Sequence, residues 1–253
     1  MLVLLSPAKS LNEDINVDIE MTKPKNTAAA GKLVKVLREY SEGDMMSLMD
    51  ISSSLAKENR RRYQNFKLRG AASQSTPAVH LFAGDVYRGL GADDLTVEEM
   101  TFAQSHVRIL SGLYGLLRPL DGIQPYRLEM GTSLPTDQGK NLYQFWDKQI
   151  TNQINASLRE LSGKTVVNLA SNEYFKAVHR SKLKADVLDI NFKEWRDGEL
   201  KFISFSAKVA RGLMTRYIIK NGITDTADLK GFDYEGYGFS PDHSSTNSWI
   251  FVR

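Results

Sequence analysis

The sequence predicts an α/β or mixed α+β fold, organised as a single domain over residues 1–253. Three observations carry that prediction. Short, wholly apolar runs such as residues 2–5 (LVLL) read as buried strands. Leu33, Val36, Leu37 and Tyr40 recur at helical spacing. Segments of the two kinds then follow one another without strict alternation, so no standard parallel βαβ series is implied.

The elements follow in order. Residues 2–5 form a strand stopped by Ser6-Pro7. Residues 12–26 are polar, contain Pro24 and read as a surface loop, and residues 27–40 form a helix. Two further helices cover 45–49 and 53–66, the second carrying Arg60, Arg61 and Arg62. A small-residue loop at 70–77 leads into the apolar run 79–83 and then GDVYRGL. Residues 97–117 read as helical, interrupted at Gly112 and Gly115; Pro119 and Pro125 make 118–131 irregular. An amphipathic helix spans 142–161 and a β-branched strand spans 165–169. Residues 187–192 and 200–205 form a strand pair joined at Asp197-Gly198. A helix at 207–220 and a closing edge strand at 249–252 complete the chain, which contains no internal repeat.

Composition bounds the function. Hydrophobic residues make up 42% of the chain and charged residues 25%, a balance that permits a substantial core. The absence of cysteine excludes disulfides, zinc–thiolate sites, iron–sulfur ligation and thiol peroxidase chemistry. A net charge of +3 is too small to attract a polyanion globally, so any such attraction must be local. The apolar start is too short for a secretory signal, and no stretch approaches the ~20 residues of a spanning helix. A soluble cytoplasmic protein without a membrane partner is expected.

Several segments could carry chemistry. In the helix at 207–220, Lys208, Arg211, Gly212 and Thr215 share one face at about 100° per residue. No acidic residue interrupts residues 203–220. A basic stripe with a glycine inside it admits an anionic backbone closely, and Ser206 is a credible N-cap; a solvated cationic face is the alternative. The run HVRILSGLYGLLRPLD is similar to a helix-hairpin-helix, in which turn amides and nearby cations hold DNA phosphates. Its Gly112 and Gly115 stand one residue further apart than is usual, and a turn that packs Leu113 and Tyr114 reads equally well. In LRPLDGIQPYRLEMG, Arg118, Arg127 and Glu129 form either a buried pair or an Arg fork for phosphate. Asp85 is either a turn residue or a proton-transfer group.

SPAKS and NLASNEYFK each follow a buried strand, which makes Ser6, Lys9, Asn168, Ser171, Asn172 and Glu173 pocket candidates. Lys140 adds one more cation, and the expected convergence of Lys9, Arg127, Glu129, Lys140, Lys208 and Arg211 on one cleft points to a phosphate-bearing partner. No Walker loop, GxGxxG fingerprint, GxSxG elbow or HExxH helix occurs. His80, His106, His179 and His243 are scattered, and neither a metal nor another cofactor is expected.

Taken together and in order, SPAKS, FAGDVYRGL, LSGLYGLLRPLDGIQPYRLEMG, LYQFW, NLASNEYF, ISFSAKVARGLM and EGYGF resemble the YaaA peroxide-stress protein family over nearly the whole chain. The resemblance implies a cytosolic protein that protects against hydrogen peroxide and lowers free intracellular iron. It also implies a single-domain fold with a central mixed sheet, a positively charged cleft and a helix-hairpin-helix-like element, unlike the standard superfolds. Sequence-independent binding of double-stranded or branched DNA is implied too, with Lys9, Gly112, Gly115, Arg118, Arg127, Lys140, Lys208, Arg211 and Gly212 as its expected contacts. The alternative is an enzyme acting on a nucleic-acid base or a small phosphorylated compound. Its nucleophile would be Lys9 or Lys208, its proton-transfer partner Asp85 or Glu129. Direct iron binding through Asp85, Glu235 and Asp242 is a third possibility; the ferritin-like helical Glu-x-x-His pairing is absent.

Overall fold

Strand β1 (Leu2–Leu5) has no exposed residue, and the chain is built outward from it. The computed structural model describes residues 1–15, 17–67 and 74–253, so the first half of the expected loop at 70–77 lies outside the described residues. After β1 come β2 (Ser10–Leu11), α1 (Thr27–Arg38), α2 (Glu42–Met49) and α3 (Ser53–Asn65). Helix α2 begins where Ser41 and Asp44 form a reciprocal capping box, and it stops at Asp50, whose φ is +49°. Next are β3 (Thr76–Pro77), α4 (Ala78–Leu81), β4 (Phe82–Ala83), α5 (Asp85–Leu90) and α6 (Val97–His106). A second capping box, Thr96 with Glu99, starts α6.

Here the structure corrects the expected helix at 97–117. It ends at His106, and the chain continues as β5 (Val107–Ser111) and β6 (Gly115–Leu117), an antiparallel hairpin turning through residues 112–114. Every residue of VRILS is buried, so the run has neither the period of a helix nor that of a half-exposed strand. The helix-hairpin-helix expected at this position is therefore a β-hairpin.

The remaining elements are β7 (Gly122–Ile123), α7 (Leu142–Trp146), α8 (Gln149–Arg159), β8 (Thr165–Asn168), α9 (Asn172–Phe175), β9 (Asp186–Arg196), β10 (Glu199–Lys201), α10 (Ser204–Lys220), β11 (Gly238–Phe239) and β12 (Ser248–Val252). The single helix expected at 142–161 is two helices, broken at Asp147, whose φ is +35°. The strand expected at 200–205 ends at Lys201. Helix α10 then starts at Ser204, before the expected cap Ser206.

Eight strands form one mixed sheet in the order β11-β12-β9-β8-β1-β5-β6, with β10 paired to β9. β1 runs parallel to both β5 and β8, β8 parallel to β9, and β9 parallel to β12. β12 is thus internal, flanked by β9 and β11, and not the closing edge that the tail of the sequence suggests. One continuous apolar cluster joins this sheet to the helices. Among the described residues, no helix is long and apolar enough to cross a membrane.

Candidate nucleic-acid interface

The connections leave β1 first toward β5 and later return to β8, on the opposite side of β1. Strand order therefore reverses between β1 and β8. In parallel sheets such a switch point opens a crevice beyond the carboxyl ends of the two strands, because their loops diverge to opposite faces. The loop after β1 carries Ser6 to Lys9, and the loop after β8 carries Leu169 to Ser171. They are stitched together: the Ser171 N–H donates to Ser6 Oγ at 2.9 Å, and Tyr87 Oη–H donates to the Ser6 carbonyl at 3.0 Å. Both expected strand-end motifs thus meet in space.

Against this crevice lies the proline-braced segment. Lys9 Nζ reaches Glu129 Oε2 at 2.6 Å, while Arg127 Nη2 donates to Glu129 Oε1 at 3.1 Å. Two cations share one carboxylate, which leaves the cluster with a net positive charge. Among the described residues Arg127 Nε is buried without a hydrogen-bond partner, and Lys9 is 62% exposed in its side chain. Tyr126 and Tyr174 line the same recess, and burial pushes both phenols well up from the ordinary tyrosine value, so they stay protonated. Among the described residues the recess bounded by Pro7, Lys9, Tyr126, Arg127, Glu129 and Tyr174 has a volume of about 10 Å³. That is room for about one water, so it does not enclose a nucleobase.

Lys9 is linked to the start of α5. A Cβ added at Gly84 would sit 3.2 Å from the Ala8 side chain, so the GDVYRGL segment packs directly on the first loop. Asp85 follows and pairs with Arg88 at 3.3 Å. The Arg88 guanidinium, 60% exposed in its side chain, lies 4.9 Å from the ring centroid of Phe205 in the first turn of α10. Lys208 is exposed three residues further along that helix, on the face of Phe205. On the other flank, Glu173 accepts from the Gly131 N–H at 2.9 Å, and Tyr143 Oη–H donates to its carbonyl at 2.9 Å. Exposed Lys140 precedes Tyr143 on this rim.

Other expected contacts face inward or are already paired. A Cβ on Gly212 would come within 1.9 Å of the Val86 carbonyl, and one on Gly89 within 2.2 Å of the Val209 carbonyl. The two glycines let α5 and α10 touch backbone to backbone; no room is left there for a phosphate. Arg211 Nε is buried without a hydrogen-bond partner among the described residues, and burial lowers the guanidinium pKa. The basic stripe expected on this helix therefore reduces to Lys208. Arg216 and Lys220 hold Asp94 and Glu99 at 2.6 and 2.9 Å.

Gly112 and Gly115 are likewise enclosed. Trp146 Nε1–H donates to the Gly112 carbonyl at 2.9 Å, and a Cβ at Gly115 (φ +71°) would meet the same indole at 2.8 Å. Arg118 is clamped by Asp121 at 2.8 Å and lines a separate recess with Lys25 and Arg108. Asp85 and Glu235 are each committed to an arginine, Arg88 and Arg253, and among the described residues no three His, Asp or Glu side chains are grouped to hold a metal.

Sequence reasoning missed Arg88 and Phe205. Arg88 was visible inside GDVYRGL, three residues after Asp85, at the spacing of one helical turn.

Comparison with known proteins matches the sequence of this chain to a family. The profile described as Peroxide stress protein YaaA covers residues 1–243. Full-length relatives include the UPF0246 protein of Acaryochloris marina, 51% identical over 253 residues and covering 100% of both chains. The UPF0246 protein of Saccharophagus degradans is 47% identical over 258 residues, covering 100% of this chain and 99% of its own. That of Neisseria meningitidis serogroup B is 46% identical over 254 residues, covering 100% and 98%.

Proposed function

We propose that this chain, which belongs to the peroxide stress protein YaaA family, protects by binding DNA, double-stranded or branched, without reading its sequence. The contact surface is a basic track running from Lys9 past Asp85 and Arg88 to Lys208, with Lys140 on its rim. One observation carries the reading: Lys9, Arg88 and Lys208, distant in sequence, sit on segments that touch, Ala8 against Gly84 and Arg88 against Phe205. Phosphate contacts of this kind supply affinity with no base code. Without cysteine the chain lacks thiol chemistry to consume peroxide, and covering DNA removes a target from hydroxyl radicals formed where ferrous iron meets peroxide.

Affinity for a duplex of arbitrary sequence falls steeply with salt, with a log–log slope of roughly −0.9 per phosphate contact. Arg88→Glu with Lys208→Glu weakens binding to all sequences alike and flattens that slope. A folded double variant with undiminished affinity in fluorescence anisotropy rejects this surface. The lowering of free iron is assigned to an indirect route, since Asp85, Glu235 and Asp242 are not assembled for a metal. Ferrous iron retained by the protein in anoxic equilibrium dialysis would overturn that assignment.

The Lys9–Glu129 contact of 2.6 Å favours one second reading, a lysine nucleophile acting on an aldehydic sugar at an abasic site. Glu129 would take a proton from the Lys9 ammonium, and the freed nitrogen lone pair would add to the aldehyde carbon, with loss of water to an imine. The exposure of Lys9 and the shallow recess count against it. Borohydride reduces such an imine to a stable adduct, so an abasic duplex that yields none removes the reading.

A further inference from the structure

We infer that the recess between β5, α8 and the Arg118–Asp121 turn is a binding site for one inorganic anion of chloride size. Lys25, Arg108, Arg118, Asp121, Gln153 and Ser157 line it. The inference does not rest on the DNA-binding reading above.

A buried cation sets the need for an anion. Arg108 stands opposite Leu4 in the β1–β5 pairing and is only 5% exposed. Its Nε donates to Ser157 Oγ at 3.2 Å. Its Nη1 donates to the carbonyls of Val107 at 2.7 Å, Gln104 at 2.9 Å and Ser105 at 3.4 Å. Among the described residues its Nη2 has no hydrogen-bond partner, and the guanidinium enters no ion pair. Nη2 is not sealed in the core, and the recess is the opening that Arg108 lines. Burial, and after it the charge of Arg118, hold this guanidinium below its ordinary value, at about 10; Asp121 and Glu160 act against that from a distance. A buried charge without a counterion is costly, so a partner from solvent is favoured here.

The acid on the recess is already spent. Asp121 is 1% exposed and accepts from Arg118 Nε at 3.1 Å, Arg118 Nη2 at 2.8 Å, the Arg118 N–H at 2.8 Å and Thr22 Oγ1–H at 2.7 Å. Its charge answers that of Arg118. Arg108 and Lys25 are left over, because exposed Lys25 enters no ion pair among the described residues. The acceptors are committed too: Gln153 Oε1 takes an N–H of Asn26 at 3.1 Å, and Ser157 Oγ takes Arg108 Nε. What remains for an occupant is donors, namely Arg108 Nη2, Arg118 Nη1 and Lys25 Nζ. Such a lining suits a negatively charged group that only accepts, and it suits water less well, since water brings two protons of its own. Size narrows the class. The recess has a volume of about 10 Å³, room for about one water. Chloride is barely larger than that, whereas a whole phosphate or a phosphodiester does not enter. The bound ion would tie residue 25 and the Arg118 turn to β5 and α8.

The test sets chloride against an anion too large to enter. For a site with Kd on the order of 10 mM, the protein gains roughly 4–7 °C in Tm in about 200 mM sodium chloride over the same concentration of sodium gluconate. Lys25→Gln, at an exposed position, keeps the fold and loses most of that gain. Lys25→Glu supplies a carboxylate beside Arg108 and abolishes the gain. Chloride-35 NMR reads binding directly: the parent broadens the resonance beyond what Lys25→Glu does, and bromide reverses the excess while inorganic phosphate does not. An equal gain in Tm for all three proteins, or no excess broadening by the parent, overturns the site. Phosphate reversing the broadening as readily as bromide overturns the single-atom assignment.

Discussion

Gly212→Ala separates two roles for the glycine of α10. If Gly212 admits a DNA backbone, the extra methyl weakens binding and leaves stability alone. The structure gives it a different neighbour: the new Cβ would lie 1.9 Å from the Val86 carbonyl oxygen and 2.7 Å from the Leu90 amide nitrogen. Both are main-chain atoms of α5, so no side chain can rotate away. Restoring an ordinary 3.4 Å contact requires α5 to withdraw by about 1.5 Å. That helix is short, and its Val86, Tyr87 and Leu90 side chains are buried, so the shift strains the packing around them. Overpacking of this kind costs about 3 kcal/mol at the upper end of its usual range. The better helix propensity of alanine returns about 1 kcal/mol. The net loss of about 2 kcal/mol corresponds to roughly 4–8 °C in Tm for a chain of this length. Thermal unfolding followed by circular dichroism reads it directly, and Gly89→Ala reports on the same contact from the opposite helix. The hydrogen bond from Tyr87 to Ser6 ties α5 to the β1 loop, so the variant also disturbs the crevice. An unchanged Tm together with weakened DNA binding would refute the packing argument.

Three further outcomes follow from the same geometry. Arg211→Glu places a carboxylate where a guanidinium nitrogen is already buried without a partner among the described residues, and it lowers Tm, whereas Lys208→Glu on the exposed face leaves Tm within about 1 °C. Glu194 supplies a pH dependence. Burial acts to raise its pKa, but hydrogen bonds from Ser206, Arg196 and Arg253 outweigh burial and hold the carboxyl at about 2, below its ordinary 4.5. A depressed acid stabilises the fold above its unfolded pKa, and that contribution, on the order of 3 kcal/mol, is lost as pH falls from about 4.5 toward 2. Glu194→Gln therefore flattens the stability curve over that window in urea titrations, and an unchanged acid limb would contradict it. Lys9→Ala removes one cation from the Glu129 cluster and weakens duplex binding severalfold at low salt, with the deficit vanishing as salt rises; a salt-independent deficit would contradict the phosphate role.

The two ends of this molecule were not equally legible in its sequence. LVLL and TVVN stand out because a strand buried on both faces is a short apolar run with abrupt polar ends. Reading them also located SPAK and NLASNEY at strand termini, and the sheet brings those termini together at its switch point. VRILS obeys the same rule, but it follows a true helix without a break, so its apolar residues merged with the helical period. The glycines misled for a different reason. Gly112, Gly115 and Gly212 each accommodate an atom from a remote segment, namely Leu128, Trp146 and Val86. Nothing in the local sequence distinguishes such a neighbour from a ligand.

Charge was harder still, because a cation's availability depends on which acid it meets. Arg118 is consumed by Asp121, three residues away, and Arg216 by Asp94, on a separate segment; Lys208, in the same helix as Arg216, is left exposed. Arg88 shows how a surface emerges from this sorting. It pairs with Asp85 beside the first loop, yet its guanidinium also lies on Phe205 at the start of α10. One side chain thereby links the loop beside Lys9 to the first turn of α10, a juxtaposition that no single sequence motif contains.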